Sequence, residues 1–308
     1  MKKLKKIYLI SPRGFCAGVK RAVDIVNLVL QKYKPPIYIR HQIVHNSHVI
    51  SDFKKRGVIF IEDINNIPDG SVVIFSAHGS SLNLYQIAKR KKLKIFDAVC
   101  PLVNKVHLEA KRYSKQGYFI FYIGHKNHPE AIGVLGEVSN QSIILIETLK
   151  EAKKIIPPQT DKLIVLTQTT LSFDDTKQII NCLKRRFIKL IQPPAFDICY
   201  ATQNRQNAVK ELAKKVDLVL VIGSKESSNS NRLREVVEKS GKQAYLIDDK
   251  SEIQPSWLEK VENLGITAGA SAPKYLIDEM ISYFSKQKVK IEELIVVKEN
   301  THFILPTI

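Results

Sequence analysis

Ile7-Tyr-Leu-Ile-Ser-Pro-Arg-Gly-Phe-Cys16 carries an apolar run through a turn into a cysteine, and Val19, Ala22, Val23, Val26 and Leu30 then recur at helical intervals. A short apolar run closed by turn formers reads as a buried strand, and apolar residues three and four apart read as one face of a helix. The pattern occurs twice more. Ile95-Phe-Asp-Ala-Val-Cys100 opens onto Val103, Val106, His107 and Ala110, and Phe196-Asp-Ile-Cys199 opens onto Ala208, Val209, Leu212 and Ala213. The two later copies share Phe-Asp before the cysteine, and the copies are separated by about the length of a small domain.

Working outward, a second repeated element lies between the cysteines. Apolar strands ending in polar residues occur at Val72-Val-Ile-Phe-Ser-Ala-His-Gly79, Leu163-Ile-Val-Leu-Thr-Gln-Thr-Thr170 and Gly265-Ile-Thr-Ala-Gly-Ala-Ser271. A third set is Val44-His-Asn46, Ile123-Gly-His-Lys-Asn-His-Pro-Glu130 and Val221-Ile-Gly-Ser-Lys-Glu-Ser-Ser-Asn-Ser230. Near-continuous apolar strands alternating with amphipathic helices indicate parallel sheets covered on both faces. The repeat is too long for a solenoid. The expected fold is therefore three similar α/β domains, with mainly parallel sheets, around a pseudo-threefold central cavity. Boundaries are expected at 1–95 with Cys16, 96–195 with Cys100 and 196–285 with Cys199, followed by a tail, 286–308, that carries none of the motifs.

Of the 308 residues, 44% are hydrophobic and 25% charged, the balance of a globular protein. No stretch approaches the roughly 18 apolar residues of a membrane span. The apolar run behind the N-terminal lysines stops at Ser11, too soon for a secretion signal. A cytoplasmic protein with no membrane partner is expected. The net charge of +18 raises nucleic-acid binding, but the lysines are spread along the chain and no zinc-finger or aromatic RNA-binding pattern occurs. A solvated basic surface, or a face for a diphosphate or an acidic protein, accounts for the charge without nucleic acid.

Four cysteines at 16, 100, 182 and 199 form no short motif, and a reducing compartment argues against disulfides. Cys182 lies on the apolar stripe of a predicted helix with Ile179, Ile180, Leu183 and Phe187, as a small core thiol. The other three sit at strand ends, beyond which ligands bind in open α/β sheets. Three such thiolates suit either zinc with an open position or an iron–sulfur cluster with one free iron. The absence of a Cys-x-x-Cys pair favours the cluster, and a basic polyphosphate or nucleic-acid binder with structural zinc is the alternative. His45, His78 and His128 occupy equivalent strand ends. Ser227-Ser-Asn-Ser230 before a helix, and Ser271, offer hydroxyls and free backbone N–H groups suited to phosphate. Glu130, the carboxylate of His-Pro-Glu beside His128, is placed for proton transfer.

At these residues the chain resembles the 4-hydroxy-3-methylbut-2-enyl diphosphate reductase family, the last enzyme of the non-mevalonate isoprenoid pathway. Pro12-Arg-Gly-Phe-Cys-Ala-Gly-Val19, Asp97-Ala-Val-Cys-Pro-Leu-Val103, His125-Lys-Asn-His-Pro-Glu130, Thr167-Gln-Thr-Thr-Leu-Ser172, Asp197-Ile-Cys-Tyr-Ala-Thr202 and Gly223-Ser-Lys-Glu-Ser-Ser-Asn-Ser-Asn-Arg232 carry it, in collinear order with the histidine and Ser271 segments. The resemblance implies one [4Fe-4S] cluster on Cys16, Cys100 and Cys199 with the fourth iron open. It also implies an allylic diphosphate held by His45, His78, His128, Ser227, Ser228, Asn229 and Ser271, with Thr169 and Glu130 holding the hydroxyl and relaying protons. The implied products are isopentenyl and dimethylallyl diphosphates. No nicotinamide or flavin fingerprint appears, so an acidic carrier, a ferredoxin or flavodoxin, is the expected electron donor.

Overall fold

The computed structural model describes residues 4–194, 196–286 and 289–308. In chain order the first strands and helices are β1 (Lys6–Ser11), α1 (Ala17–Lys32), β2 (Ile37–Arg40), α2 (Ser47–Lys55), β3 (Val58–Ile61), β4 (Val72–Phe75), α3 (Leu82–Arg90), β5 (Lys94–Asp97) and α4 (Pro101–Lys115). Next come β6 (Phe119–Ile123), α5 (Pro129–Leu135), β7 (Ile143–Ile146), α6 (Leu149–Lys154), β8 (Leu163–Thr167), α7 (Phe173–Arg186), β9 (Leu190–Ile191) and α8 (Tyr200–Ala213). The last are β10 (Leu218–Ile222), α9 (Ser228–Lys239), β11 (Gln243–Ile247), β12 (Asn263–Ala268), α10 (Lys274–Ser285) and β13 (Lys290–Ile295). Among the described residues no helix is long and apolar enough to cross a membrane.

Among the described residues three sheets result, ordered β3-β2-β4-β5, β7-β6-β8-β9 and β11-β10-β12-β1-β13. Every strand pairing in them is parallel. Three α/β sheets with parallel strands are thus what the repeated pattern anticipated. Each follows one plan, in which the second strand flanks the first, the third lies on the first's other side and a fourth follows. In the third sheet the fourth place is taken by β1, from the other end of the chain. The strand before each cysteine therefore takes the fourth place of its sheet: β5 before Cys100, β9 before Cys199 and β1 before Cys16. The sequence reading assigned residues 6–11 to the first segment and gave the tail no role, whereas β1 pairs with β12 and with β13. The physical reason is that strand pairing is non-local, while the sequence motif registers only the strand and the helix after it.

Burial on both faces explains the apolar strands. All residues of β6, β8 and β10 are buried. In the third sheet, Ile7, Leu9, Leu218, Leu220, Leu264 and Ile266 pack with Leu276, Met280 and Phe284 of α10. The alternate residues Ile10, Val219 and Val221 pack with Leu212 of α8 and Leu233, Val236 and Val237 of α9. In the second sheet, Phe119, Phe121 and Val165 face α7, and Ile120, Tyr122 and Ile164 face α4 and α5. Helices after neighbouring strands thus leave to opposite faces, α9 against α10 and α5 against α7. That is a topological switch point, where a crevice opens at the carboxyl ends of the strands.

By contacts the chain forms two compact units. One takes the chain up to Val19, His45–Ser51 and Tyr200–His302; the other takes Lys20–Val44, Asp52–Cys199 and Phe303–Ile308. The first contains the five-stranded sheet and the second the two four-stranded sheets.

Candidate functional site

The three singled-out cysteines are held alike. The Cys16 N–H donates to Ala270 O (3.1 Å), that of Cys100 to Ala77 O (3.0 Å) and that of Cys199 to Thr169 O (3.1 Å). Each acceptor lies two residues beyond its sheet's third strand, β12, β4 or β8. The backbone after the third strand thereby fixes the turn that presents each thiol. None of the four cysteines is in a disulfide; these three are partly exposed, whereas Cys182 is buried in the α7 core. Each of the three precedes a helix, and the Val19 N–H points at Cys16 Sγ (3.5 Å). Sulfur is a soft donor, so these three side chains fit a zinc or iron–sulfur centre. Among the described residues, no three His, Cys, Asp or Glu side chains are grouped to hold a single metal ion.

Within the second unit, a chain of contacts joins Cys199 to Cys100 through every predicted polar residue of that unit. Thr169, which accepts from Cys199, donates its own N–H to Glu130 Oε1 (2.7 Å) and its hydroxyl to Glu130 Oε2 (2.9 Å). The Glu130 N–H donates to Nδ1 of His128, the N-cap residue of α5 (3.1 Å). The His128 ring meets His78 edge to face, with centroids 5.8 Å apart. His78 follows Ala77, the acceptor for Cys100. His41, which the sequence reading passed over, continues the row: its ring lies 6.2 Å from His78 and its Nδ1 contacts Glu62 (2.9 Å).

Glu130 is 1% exposed and Thr169 3%. Burial pushes the Glu130 carboxyl up to about 7 against the two Thr169 hydrogen bonds, and the nearby Asp197 charge adds to the rise. A carboxyl near 7 can give and take a proton at neutral pH. Asp197 carries the shared Phe-Asp feature and is itself buried. Its Oδ1 accepts from Lys105 Nζ (2.8 Å) and its Oδ2 from the Thr167 N–H (2.9 Å), and burial pushes its carboxyl up against the pull of Lys105. Asp97 works differently, accepting from Val99 N–H and Tyr85 OH.

Gly79 and Gly133 bring these loops close to α4. His107 is buried with Nδ1 on Glu137 Oε1 (2.7 Å), and Lys111 pairs with the other Glu137 oxygen (2.7 Å). A Cβ at Gly79, where φ is +79°, would sit 2.5 Å from His107 Nε2, and one at Gly133 3.0 Å from the same ring. The backbone beside His78 and that of α5 thus rest on one imidazole.

The first unit holds the other predicted residues. Ser271 Oγ donates to His45 O (2.9 Å) and lies 3.5 Å from Ser227 Oγ. Ser227 caps α9, accepting from the Ser230 N–H (3.3 Å), and Ser228 opens that helix. Asn229 Oδ1 accepts from the Ala270 N–H (2.8 Å), which fixes its Nδ2 as a donor. That Nδ2 is buried without a protein partner. Ala270 therefore joins Asn229 through its N–H to Cys16 through its carbonyl. Glycines at the ends of β10 and β12 let α9 start here: a Cβ on Gly223 or Gly269 would lie 2.3 or 2.0 Å from Ser230 Oγ. Hydroxyls, an amide donor buried without a protein partner and a helix start are grouped here, a donor set suited to an anion.

A family model described as LytB protein matches residues 7–285. The chain belongs to the LytB family. A LytB relative from Wolbachia pipientis wMel, named 4-hydroxy-3-methylbut-2-enyl diphosphate reductase, is 52% identical over 98% of this chain and 99% of its own length. The structure of the E-1-hydroxy-2-methyl-but-2-enyl-4-diphosphate reductase from Plasmodium falciparum superposes with a TM-score of 0.96 at 39% identity, covering 99% of this chain and 96% of that one. A second solved structure, of (E)-4-hydroxy-3-methyl-but-2-enyl diphosphate reductase, "the Terminal Enzyme of the Non-Mevalonate Pathway", matches at TM-score 0.66 and 32% identity over 92% of this chain and 100% of that one.

Proposed function

We propose that this LytB-family chain reduces 4-hydroxy-3-methylbut-2-enyl diphosphate to isopentenyl and dimethylallyl diphosphates, the last step of the non-mevalonate isoprenoid pathway, in the cytoplasm. The buried Glu130–Thr169 pair, hydrogen-bonded onto the backbone that anchors Cys199, carries the reading. A [4Fe-4S] cluster on Cys16, Cys100 and Cys199, with one iron lacking a protein ligand, supplies Lewis acidity and electrons when bound. Matching thiol donors on three separate strand ends, with no short Cys-x-x-Cys spacing, support a cluster over zinc.

The cradle of Ser227, Ser228, Asn229 and Ser271 binds the diphosphate, together with His45, His78 and His128. Because His128 Nδ1 accepts from the Glu130 N–H, a neutral ring carries its proton on Nε2. The diphosphate, the strongly charged end of the substrate, anchors it through charge-assisted hydrogen bonds. The reaction consumes two electrons and two protons: the allylic C–O bond breaks, the oxygen leaves as water, and a C–H bond forms at one end of the allyl unit. Glu130, protonated, donates to Thr169 Oγ1, and Thr169 passes its own hydroxyl proton to the departing oxygen. Addition of the second proton at either end of the allyl unit gives the two products. An acidic electron carrier, drawn to the +18 chain, delivers the electrons.

Serine at each cysteine tests the reading. After anaerobic reconstitution, Cys16→Ser, Cys100→Ser and Cys199→Ser are each expected to lose most iron, sulfide and turnover, while Cys182→Ser retains them. Full iron in Cys100→Ser, or its loss in Cys182→Ser, would overturn the assignment.

A further inference from the structure

Cys16 differs from the other two cysteines in what supports its strand. β5 and β9 are edge strands of their sheets, whereas β1 has β12 on one side and β13 on the other. Beyond β13 the chain keeps contact: the Val296 N–H donates to Ser11 O (3.0 Å). Arg13 Nη1 reaches Glu293 Oε1 (3.0 Å) as well as Ile10 O (2.9 Å). Deeper in, Arg205 of α8 is 1% exposed, a cation on what reads as the helix's apolar stripe. Its Nη1 contacts both Glu299 oxygens (3.1 Å each) and Ala201 O (3.1 Å), and its Nη2 donates to Gly14 O (2.7 Å). Asn204 Nδ2 adds a bond to Glu299 Oε1 (3.1 Å).

A guanidinium so deeply buried is costly unless paired and hydrogen-bonded. Glu299 supplies the pairing through Nη1, while Nη2 donates to Gly14 O, two residues before Cys16, and Nε is buried without a hydrogen bond. The loop has no slack at that point. Gly14 has φ +70°, a Cβ there would lie 2.9 Å from Ile277 Cδ1, and its N–H is held by Ala268 O (3.1 Å). With Cys16 N–H on Ala270 O, the loop is pinned from β12 on one side and from Arg205 on the other.

We propose that the C-terminal segment is a lock on the Cys16 loop, with Glu299 and Arg205 as positioning residues that hold this one thiolate for the cluster. The inference rests on the proposed function, since it presumes a cluster on Cys16. Removal of Glu299 leaves Arg205 charged and unpaired in the interior, so the loop, rather than the whole fold, is the first part to open.

The test uses the full-length protein, purified anaerobically, stripped of its cluster with an iron chelator so that all three thiols are free, and then pulsed with iodoacetamide, with labelling of each cysteine peptide read by mass spectrometry. Glu299→Gln is expected to label Cys16 at least about tenfold faster than the parent, with Cys100 and Cys199 changed less than about twofold. Glu299→Asp, which restores the charge, should recover part of the protection. Arg205→Lys, which keeps the charge but loses the fork, should fall between parent and Glu299→Gln. Parent-like labelling of Cys16 in Glu299→Gln overturns the lock, and so does equal acceleration at all three cysteines, the mark of general destabilisation. Full iron in Cys16→Ser would instead overturn the cluster assignment itself, so the two failures are separable.

Discussion

Glu130 shows how much chemistry one residue draws from its surroundings. In water its carboxyl would be ionised at neutral pH; burial raises it to about 7, and two Thr169 donors stop it rising further. Glu130→Gln preserves size but cannot deliver a proton. Turnover should fall about 100- to 10,000-fold, the usual contribution of a positioned acid or base, with cluster content and substrate affinity near those of the parent. Anaerobic turnover measured beside substrate binding checks this, and near-normal turnover would remove Glu130 from the mechanism. The same carboxyl makes stability depend on pH. Because its folded pKa lies above the unfolded value of 4.5, the folded state binds more protons between about 4.5 and 7. Its stabilising contribution is complete below that window and is lost as pH rises through it. Apo Glu130→Gln should therefore melt higher than the apo parent at pH 8, with the difference shrinking towards pH 5. A difference that grows on acidification would contradict the raised pKa.

At the scale of the element, the start of α9 combines two roles that one substitution can separate. Ser227 satisfies the Ser230 N–H as a cap, and it lies beside Ser271 in the proposed diphosphate cradle. Losing a serine cap typically costs about 1 kcal/mol, which a domain of this size tolerates. Losing a hydrogen bond to a charged ligand costs about 1.5–3 kcal/mol. Ser227→Ala is thus expected to raise KM about tenfold or more while kcat changes much less, since the diphosphate is remote from the breaking bond. Ser227→Gly, which retains most capping ability, should show the same KM defect with less loss of Tm. If KM follows Tm across the two variants, the serine acts only as a cap. The neighbouring glycines, Gly223 and Gly269, explain why the helix can begin so close to the strand ends.

For the molecule as a whole, the charge of +18 is the dominant fact. Attraction to an acidic electron carrier accelerates encounter, and it weakens as salt shortens the Debye length from about 10 Å at 0.1 M to about 3 Å at 1 M. Turnover supported by a ferredoxin or flavodoxin should fall steeply with added salt, while turnover with a small chemical reductant stays nearly level. Equal salt sensitivity for both donors would reduce the charge to surface solvation.

The sequence by itself determined the strand-to-cysteine pattern, the parallel α/β class and the polar residues at the strand ends, because buried strands and amphipathic helices write their periods into neighbouring residues. It also separated Cys182, on the α7 stripe, from the other three thiols. Only the tertiary structure decided that β1 closes the sheet of β10 to β12 and that β13 flanks it, because the partners in those pairings lie more than 200 residues apart. The pairing of Arg205 with Glu299, 94 residues apart, was hidden for the same reason: a cation on an apolar helix stripe was the visible signal, but its partner sits in a tail without motifs. Glu130 was legible as a candidate, yet its power to hold a proton near neutral pH comes from burial and from Thr169, 39 residues away. Periodicity is a local property of a chain, whereas desolvation and non-local pairing exist only once the chain has folded.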